Sequence, residues 1–529
     1  MTDPTLPTVD RTSTGRTASP ESTPESMAGS GAAAPNGARP LSARQRTIRA
    51  LFDAAAPTRE GWTEHNRDFH EADRAYLRFL VPEGATVLEV GCGVGDTLAA
   101  LKPARGVGID LSAATIATAR SRHPHLEFHA GNAEDPAELD AIDGPFSHIV
   151  LSGTIGFLDD IEETLRLLRR FATPKTRIIV SYHSRGWEPM LWAAERLGLR
   201  MPQGPQNWLS TTDIVNLLDL AGWEPVRREW RQLVPKRLFG LGPLVNRYVA
   251  TLPGIRRLCL RSYVVARPQA DPAATTMAMT AAMTAVADGA PPSVTVLIPC
   301  RNERGNIENA IRRLPRFAPD IEVLFCEGHS RDGTFEECER VRDAYPDWDI
   351  KVMRQPGKGK GDAVRAGFNA ARGDILIILD ADLTVPPETM GKFYQAMVSG
   401  KGEFVNGTRL VYPMAAEAMR FLNFLANRAF ARIFSYLLNQ RFTDTLCGTK
   451  VLWRKDYAAI VANRHYFGDF DPFGDFDLIF GAAKLNLKIV EIPVRYADRS
   501  YGETQISRFT HGWLLARMVV FAWKKLKAF

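Results

Sequence analysis

Residues 375–379 read Ile-Leu-Ile-Ile-Leu, five aliphatic side chains with no polar one between them. A strand with one wet face alternates in polarity. A run without alternation needs cover on both faces, which a parallel sheet flanked by helices provides. Asp380-Ala381-Asp382 follows at once, so two carboxylates stand where the strand leaves the core. Ligands of open α/β sheets bind beyond the carboxyl ends of the strands. Paired acids in such a place suit a cation that takes oxygen ligands, Mg²⁺ or Mn²⁺. Alone, the triplet fits equally an ordinary strand-end turn with solvated aspartates.

The 529 residues allow two or three domains. Residues 1–42 are Thr, Ser, Pro, Gly and Ala with scattered charge and read as a disordered tail. A second low-charge stretch, 269–292, ends in Pro291-Pro292 and reads as a linker. Two units remain, 43–268 and 293–529, each alternating short aliphatic runs with helical patterns. They are expected to fold independently.

In the first unit Thr86–Val90 is a strand, residues 91–95 (Gly-Cys-Gly-Val-Gly) a turn, and Asp96 opens a helix. Glycines let backbone approach a ligand, and a helix N-terminus offers free N–H groups. The next strand ends in Asp110, nineteen residues after Gly91, where a carboxylate can accept both ribose hydroxyls. The turn alone also fits a dinucleotide fold, but it lacks the G-x-G-x-x-G spacing, and Glu89 leads directly into it.

These stretches resemble class I S-adenosylmethionine-dependent methyltransferases. VLEVGCGVG looks like their first motif, GIDLS their second, and GNAED the stretch that lines the adenine. The resemblance covers roughly residues 60–268 and implies a Rossmann-like fold. It also implies an S-adenosylmethionine site at Glu89, Gly91, Gly93, Gly95, Asp110, Asn132 and Ala133. Asn132 stands where an aspartate is commoner, and the usual Pro-Gly-Gly turn reads Thr173-Pro174-Lys175-Thr176. Tyr182 and His183, past the fifth strand, are candidates to orient or deprotonate an acceptor, or a packed or surface pair without a role.

The second unit opens with strand Val294–Pro299 and Cys300-Arg301-Asn302-Glu303. A strand from Ile321 delivers Glu327-Gly328-His329-Ser330-Arg331-Asp332, and residues 357–363 are Gly- and Lys-rich before a helix. Acids for a base and ribose, a Lys/Gly loop for phosphate and the D-x-D describe a nucleoside-diphosphate pocket. IPCRNERGNI, GKGDAVRAGF, DADL, VNGTRL, DTLCGTKVLWR and EIPVRYADRSYGET, in this order, resemble family 2 glycosyltransferases of the GT-A fold. They are most similar to dolichol- or polyprenyl-phosphate mannose and glucose synthases.

The resemblance implies a nucleotide-sugar donor, GDP-mannose or UDP-glucose, held by Pro299, Arg301, Asn302, Glu303, Glu327, Asp332, Lys360, Asp380 and Arg499. It implies a metal on Asp380 and Asp382, with Arg409 neutralising the departing diphosphate. The family's paired acids read Glu327-Gly328 here, which leaves the nucleotide base open. A polyprenyl phosphate acceptor arrives ionised and needs no strong base. A hydroxyl acceptor needs one, and Asp475 or Asp477 are the candidates; both equally fit simple capping of a helix start.

The whole reads as a bifunctional enzyme of α/β class. The rivals are transfer to a soluble or polymeric hydroxyl acceptor with methylation of the same product, and one inactive domain kept for docking. A net charge of +6 does not call for nucleic acid. After Glu503 there is no acid, while Arg508, Arg517, Lys524, Lys525 and Lys527 follow, which favours an anionic membrane surface. In the stretch 410–439, Glu417, Arg420, Arg428 and Arg432 share one side at helical spacing. Leu422, Leu425, Ala426, Ala429, Ile433 and Leu437 lie opposite, a pattern that fits either core packing or an interface. No apolar run reaches a membrane span, no signal peptide is visible, and the six cysteines show no C-x-x-C pairing. A cytoplasmic chain, peripheral to the inner face of the cell membrane, is the expectation; its oligomeric state is left open.

Overall fold

The computed structural model describes residues 39–270, 291–409, 411, 421–466, 476–496, 501 and 508–528. The body of the 1–42 tail, the body of the 269–292 linker, Asp475 and Arg499 lie outside these residues. The strands gather into two seven-stranded sheets. The first has the order β3-β2-β1-β4-β5-β7-β6. Its strands are β1 (Thr86–Val90), β2 (Arg105–Asp110), β3 (Glu127–Ala130), β4 (Phe146–Ser152), β5 (Ala172–His183), β6 (Trp223–Arg231) and β7 (Arg261–Pro268). Only β7 runs against its neighbours, β5 and β6. The order reverses at β1, whose carboxyl end is therefore the crevice of the sheet.

The second sheet has the order β10-β9-β8-β11-β13-β12-β14. It comprises β8 (Val294–Cys300), β9 (Ile321–Glu327), β10 (Asp349–Arg354), β11 (Ile375–Ile378), β12 (Phe404–Thr408), β13 (Lys450–Trp453) and β14 (Ile489–Pro493). β13 runs antiparallel between β11 and β12. All of Ile375–Leu379 is buried, as the unbroken aliphatic run requires. Reversal here falls between β8 and β11, so the ends of β8, β9 and β11 share one edge.

Seven helices frame the two sheet edges and the joint between the sheets: α1 (Ala43–Ala55), α2 (Arg67–Leu80), α3 (Asp96–Ala100), α4 (Lys360–Ala370), α5 (Phe421–Leu438), α6 (Phe476–Lys484) and α7 (Arg508–Leu526). Ser42 caps α1 in a capping box with Gln45, so the first helix starts where the polar tail stops. Among the described residues no helix is long and apolar enough to cross a membrane. All six cysteines are free and buried.

The two sheets do not stand apart. One contiguous hydrophobic cluster includes Tyr76, Phe79 and Val265 together with Phe480, Leu487 and Leu526. Polar groups are closed across the same joint. Arg177 reaches Glu403 at 2.5 Å and the Asn486 carbonyl at 2.9 Å. Lys527 reaches Glu229 at 2.6 Å, with both side chains fully buried. Arg267 donates to the Gly400 carbonyl at 2.7 Å. Independent folding of the halves is thus corrected, because each leaves apolar surface and buried charge that only the other covers.

Two further corrections concern amphipathic faces. In α5 the buried positions are Asn427, Ala431, Phe434, Leu437 and Leu438, so Leu437 is buried as expected, while Ala429 and Ile433 face solvent beside Arg428 and Arg432. The apolar face is rotated from the expected one because the bulky Phe434 settles against Phe476 and Phe480 of α6. In the tail, Lys527 belongs to the joint and not to the surface.

Candidate active sites

A cavity of about 520 Å³ opens at the carboxyl end of β1. Gly91, Gly93 and Gly95 adopt positive φ, and Gly95 stands at the N-cap of α3. Side chains there would collide: a Cβ on Gly91 would sit 2.3 Å from Thr154 Oγ1. Asp110 accepts from the Gly93 N–H at 2.8 Å and the Ser112 N–H at 2.9 Å, which holds the β2 carboxylate against the glycine turn. Asn132 Oδ1 accepts from the Glu134 N–H, and Ala133 lies beside it on the wall. Glu89 is buried on the cavity wall, and its Oε2 has no hydrogen-bond partner. Burial pushes its carboxyl well above the usual range. A buried acceptor left open in a cavity is an invitation to a donor-bearing ligand. The glycine turn, Asp110 and Glu89 therefore fit a ligand that carries ribose hydroxyls and an ammonium group.

The far wall was not legible in the motifs. Asp73 on α2 holds Arg261 at 3.0 Å and accepts from Tyr263 Oη at 2.5 Å. Burial opposes ionisation of Asp73, but the Arg261 guanidinium outweighs it and lowers the carboxyl. His183 enters from β5, with its ring stacked on Phe69 at 6.0 Å and Nδ1 lacking a partner. Burial, then the nearby Arg261 and Arg200, drive its imidazole well below the usual range, so it is neutral. Tyr182, one residue earlier, points to the opposite face and donates to the Asn207 carbonyl at 2.7 Å. The period of two in a strand separates the pair: His183 lines the cavity and Tyr182 is core. Gln45, Ile48 and Phe52 of α1 also line the cavity, although no motif marks them.

At the second sheet, Asp380 follows β11 and takes the Lys360 ammonium at 2.6 Å. Burial would raise the Asp380 carboxyl, but Lys360, with Lys450 and Arg409 behind it, brings it below the usual range. Asp382 Oδ1 accepts from Thr384 N–H and Oγ1 across a turn with Leu383 at positive φ. Gly448 stands against this pair, since a Cβ there would lie 1.8 Å from Asp380 Oδ2 and 2.6 Å from Lys360 Nζ. No group of three or more potential metal-ligating side chains occurs among the described residues. Two carboxylates and a phosphate-bearing ligand are nonetheless how Mg²⁺ is commonly held, so the donor set fits that mode.

The loops after β8 and β9 are knitted together by the residues that the sequence singled out. Asn302 donates its N–H to Ser330 Oγ at 2.9 Å and accepts from the Arg331 N–H at 2.9 Å. Glu303 donates its N–H to Thr334 Oγ1, and Asp332 accepts from Thr334 and the Arg304 N–H. Buried Glu327 accepts from the Ser330 N–H at 2.5 Å. At Gly328, which replaces a second acid, a Cβ would already sit 3.3 Å from Gln355 Oε1. Pro299 is the penultimate residue of β8, and Arg301, just past the strand, is exposed. Arg409 is held bidentate by Asp444, at 2.7 and 2.9 Å, with Asn427 on the same carboxylate. Asp477 binds Arg464 at 2.5 Å, so its carboxylate closes a local ion pair on α6 instead of lying open at the sheet edge.

Residues 63–228 match the family model described as a methyltransferase domain, and residues 295–458 that of glycosyl transferase family 2. The chain joins a methyltransferase domain to a family 2 glycosyltransferase domain. Within the glycosyltransferase part it is 29% identical over 219 residues to the dolichol-phosphate mannosyltransferase of Pyrococcus furiosus, 40% of this chain and 59% of that one. It is 26% identical over 227 residues to the dolichyl-phosphate hexose transferase of Haloferax volcanii, 43% of this chain and 92% of that one. A solved S-adenosylmethionine-dependent methyltransferase of Thermotoga maritima aligns with 42% of this chain and 99% of its own, at 20% identity and a TM-score of 0.34. The glycine cavity thus belongs to the methyltransferase domain and the Asp380–Asp382 edge to the glycosyltransferase domain.

Proposed function

We propose that the chain is a bifunctional enzyme: a metal-dependent, inverting glycosyltransferase that moves a hexose from a nucleotide sugar to a polyprenyl phosphate, and an S-adenosylmethionine-dependent methyltransferase. The observation that carries the first activity is the convergence of Asp380, Asp382, Lys360 and Gly448 at the end of β11. The likeness to dolichol-phosphate mannosyltransferase supports the acceptor class. Domain limits of 43–268 and 293–529 accompany this reading, with the donor GDP-mannose or UDP-glucose.

In the glycosyltransferase site a bound Mg²⁺ or Mn²⁺ would supply positive charge to the departing diphosphate. Asp382 and Asp380 are the residues that would hold it, and Lys360, 2.6 Å from Asp380, stands where it would meet phosphate oxygens. Gly448 keeps the space beside Asp380 and Lys360 clear of a side chain. Arg409 acts as half of an ion pair with Asp444 and shapes the pocket more than it neutralises charge. The engagement of Asp477 by Arg464 takes away one of two candidate general bases, which favours an acceptor that arrives as an anion.

In the methyltransferase site the cofactor would supply an electrophilic methyl group, and Glu89 and Asp110 are the residues to bind its ammonium and ribose. Alignment is the main requirement of such a transfer. His183, neutral and unpartnered at Nδ1, can accept a hydrogen bond from the acceptor atom and so orient it. The test is to incubate the purified protein with a panel of nucleotide sugars and Mn²⁺, with and without polyprenyl phosphate. Transfer that needs the lipid phosphate is the expected result; transfer to a soluble hydroxyl acceptor instead rejects the acceptor class.

A further inference from the structure

From Trp230 to Ala270 the chain contains no acidic residue, yet it carries Arg231, Lys236, Arg237, Arg247, Arg256, Arg257, Arg261 and Arg267. The middle of this stretch, residues 236–258, lies outside both sheets and presents its large apolar side chains to solvent. Phe239 is fully exposed, Leu241 is 62% and Leu258 63% exposed, and Leu238, Leu244 and Tyr248 are exposed as well. Lys236, Arg237, Arg247 and Arg257 are exposed among them. Leu238 and Phe239 both hold positive φ, which places a bulky ring at the tip of a turn where such residues are rare. Contiguous exposed apolar surface of this kind marks an interaction site.

The segment is anchored to the glycosyltransferase domain. Arg247 donates to the Ala528 carbonyl at 2.9 Å, and the Tyr248 and Trp523 rings lie 5.8 Å apart. On α7 the exposed stripe is Trp513, Arg517, Val520 and Lys524, a second mixture of cations and apolar groups at helical spacing. The segment also borders the methyltransferase cavity, because Pro235 and Lys236 line it together with the half-exposed Met190 and Leu199.

We propose that residues 236–258 form a docking surface for an anionic lipid bilayer, which sets the mouth of the methyltransferase cavity at the lipid surface. Apolar groups interleaved with cations suit insertion beneath anionic headgroups. A second copy of the chain fits poorly, since it would bring cations against cations. The proposal deepens the reading of a lipid-borne acceptor and rests on it only for the purpose of docking, not for docking itself.

Full-length protein carrying Phe239→Cys can be labelled at that thiol, because the six native cysteines are buried. A polarity-sensitive dye there should shift to the blue with phosphatidylglycerol-containing vesicles and much less with pure phosphatidylcholine. The triple variant F239S/L241S/L244S should lose at least about tenfold in vesicle co-sedimentation while its melting temperature is unchanged. Arg257→Gln should weaken binding in a salt-sensitive way. An unmoved dye on protein that still co-sediments overturns the assignment. So does equal binding to neutral vesicles, or a dye shift without vesicles that tracks dimer formation in sedimentation velocity. Transfer to a short-chain, water-soluble polyprenyl phosphate is measured on the same variants. Normal docking with no transfer from any nucleotide sugar would reject the functional reading and leave the docking surface standing.

Discussion

Replacing Glu229 by glutamine tests the joint between the domains. Glu229 on β6 takes the Lys527 ammonium at 2.6 Å, and both side chains are 0% exposed. Lys527 also donates to Asn439 Oδ1 at 2.8 Å, and Arg231 lies 3.9 Å from the same carboxylate. Burial lowers the Lys527 ammonium to about 7 despite its partner. Burial acts the other way on Glu229, but Lys527 and Arg231 outweigh it and bring the carboxyl to about 2. The carboxylate is therefore what keeps the ammonium charged inside the joint. Glu229→Gln removes that counter-charge and leaves Lys527 buried either unpaired or deprotonated, a change that costs about 3–5 kcal/mol. Lys527→Met should cost a comparable amount, because Glu229 is then left with the more distant Arg231. The pair E229Q/K527M removes both charges and should be more stable than either single variant, since a buried ion pair contributes little over a neutral one. Urea unfolding followed by tryptophan fluorescence and far-UV circular dichroism reads this cycle. One transition seen by both probes is expected, as the domains share a core. Additive single effects, losses below about 1 kcal/mol, or two transitions of which only one moves would refute the reasoning.

Glu403 sits among Arg177, Lys175 and Arg267 of the other domain; burial opposes its ionisation, but these cations hold its carboxyl at about 2. A depressed carboxyl stabilises fully above its unfolded value near 4.5, so about 3 kcal/mol should be lost as pH falls from there toward 2. Glu403→Gln should flatten that acid limb in urea titrations, and an unchanged limb would place the acid-sensitive groups elsewhere. Gly448→Ala drives a methyl group to 1.8 Å from Asp380 Oδ2. Glycosyl transfer should fall by about a hundredfold or more while the melting temperature holds, corresponding to about 3 kcal/mol of barrier. Gly93→Arg forces a side chain onto positive φ beside Arg59. It should abolish S-adenosylmethionine binding by calorimetry and leave glycosyl transfer intact.

The sequence by itself determined what is local. An unbroken aliphatic run marked β11, short mainly apolar runs marked β1, β8 and β9, and Gly-rich turns and acids marked their carboxyl ends, because strand burial and turn geometry are written in neighbouring residues. The glycine turn, Asp110, the Asp380–Asp382 edge and the β8 and β9 loops were all legible in this way. The rest depended on partners far along the chain. Trp-Glu-Pro-Val-Arg-Arg-Glu-Trp-Arg at 223–231 looks like a charged, wet edge strand, yet Arg227, Glu229 and Arg231 are buried. Arg231 donates to carbonyls at 526 and 527, nearly three hundred residues away. Likewise Asp73 and Arg261 meet only because α2 packs beside β7. A charged side chain defaults to solvent unless a counter-charge is supplied, and no local pattern announces a supplier on another domain. The motifs were decided residue by residue, whereas the single joined core and the far wall of the methyltransferase cavity were decided only when distant charges and apolar faces closed on one another.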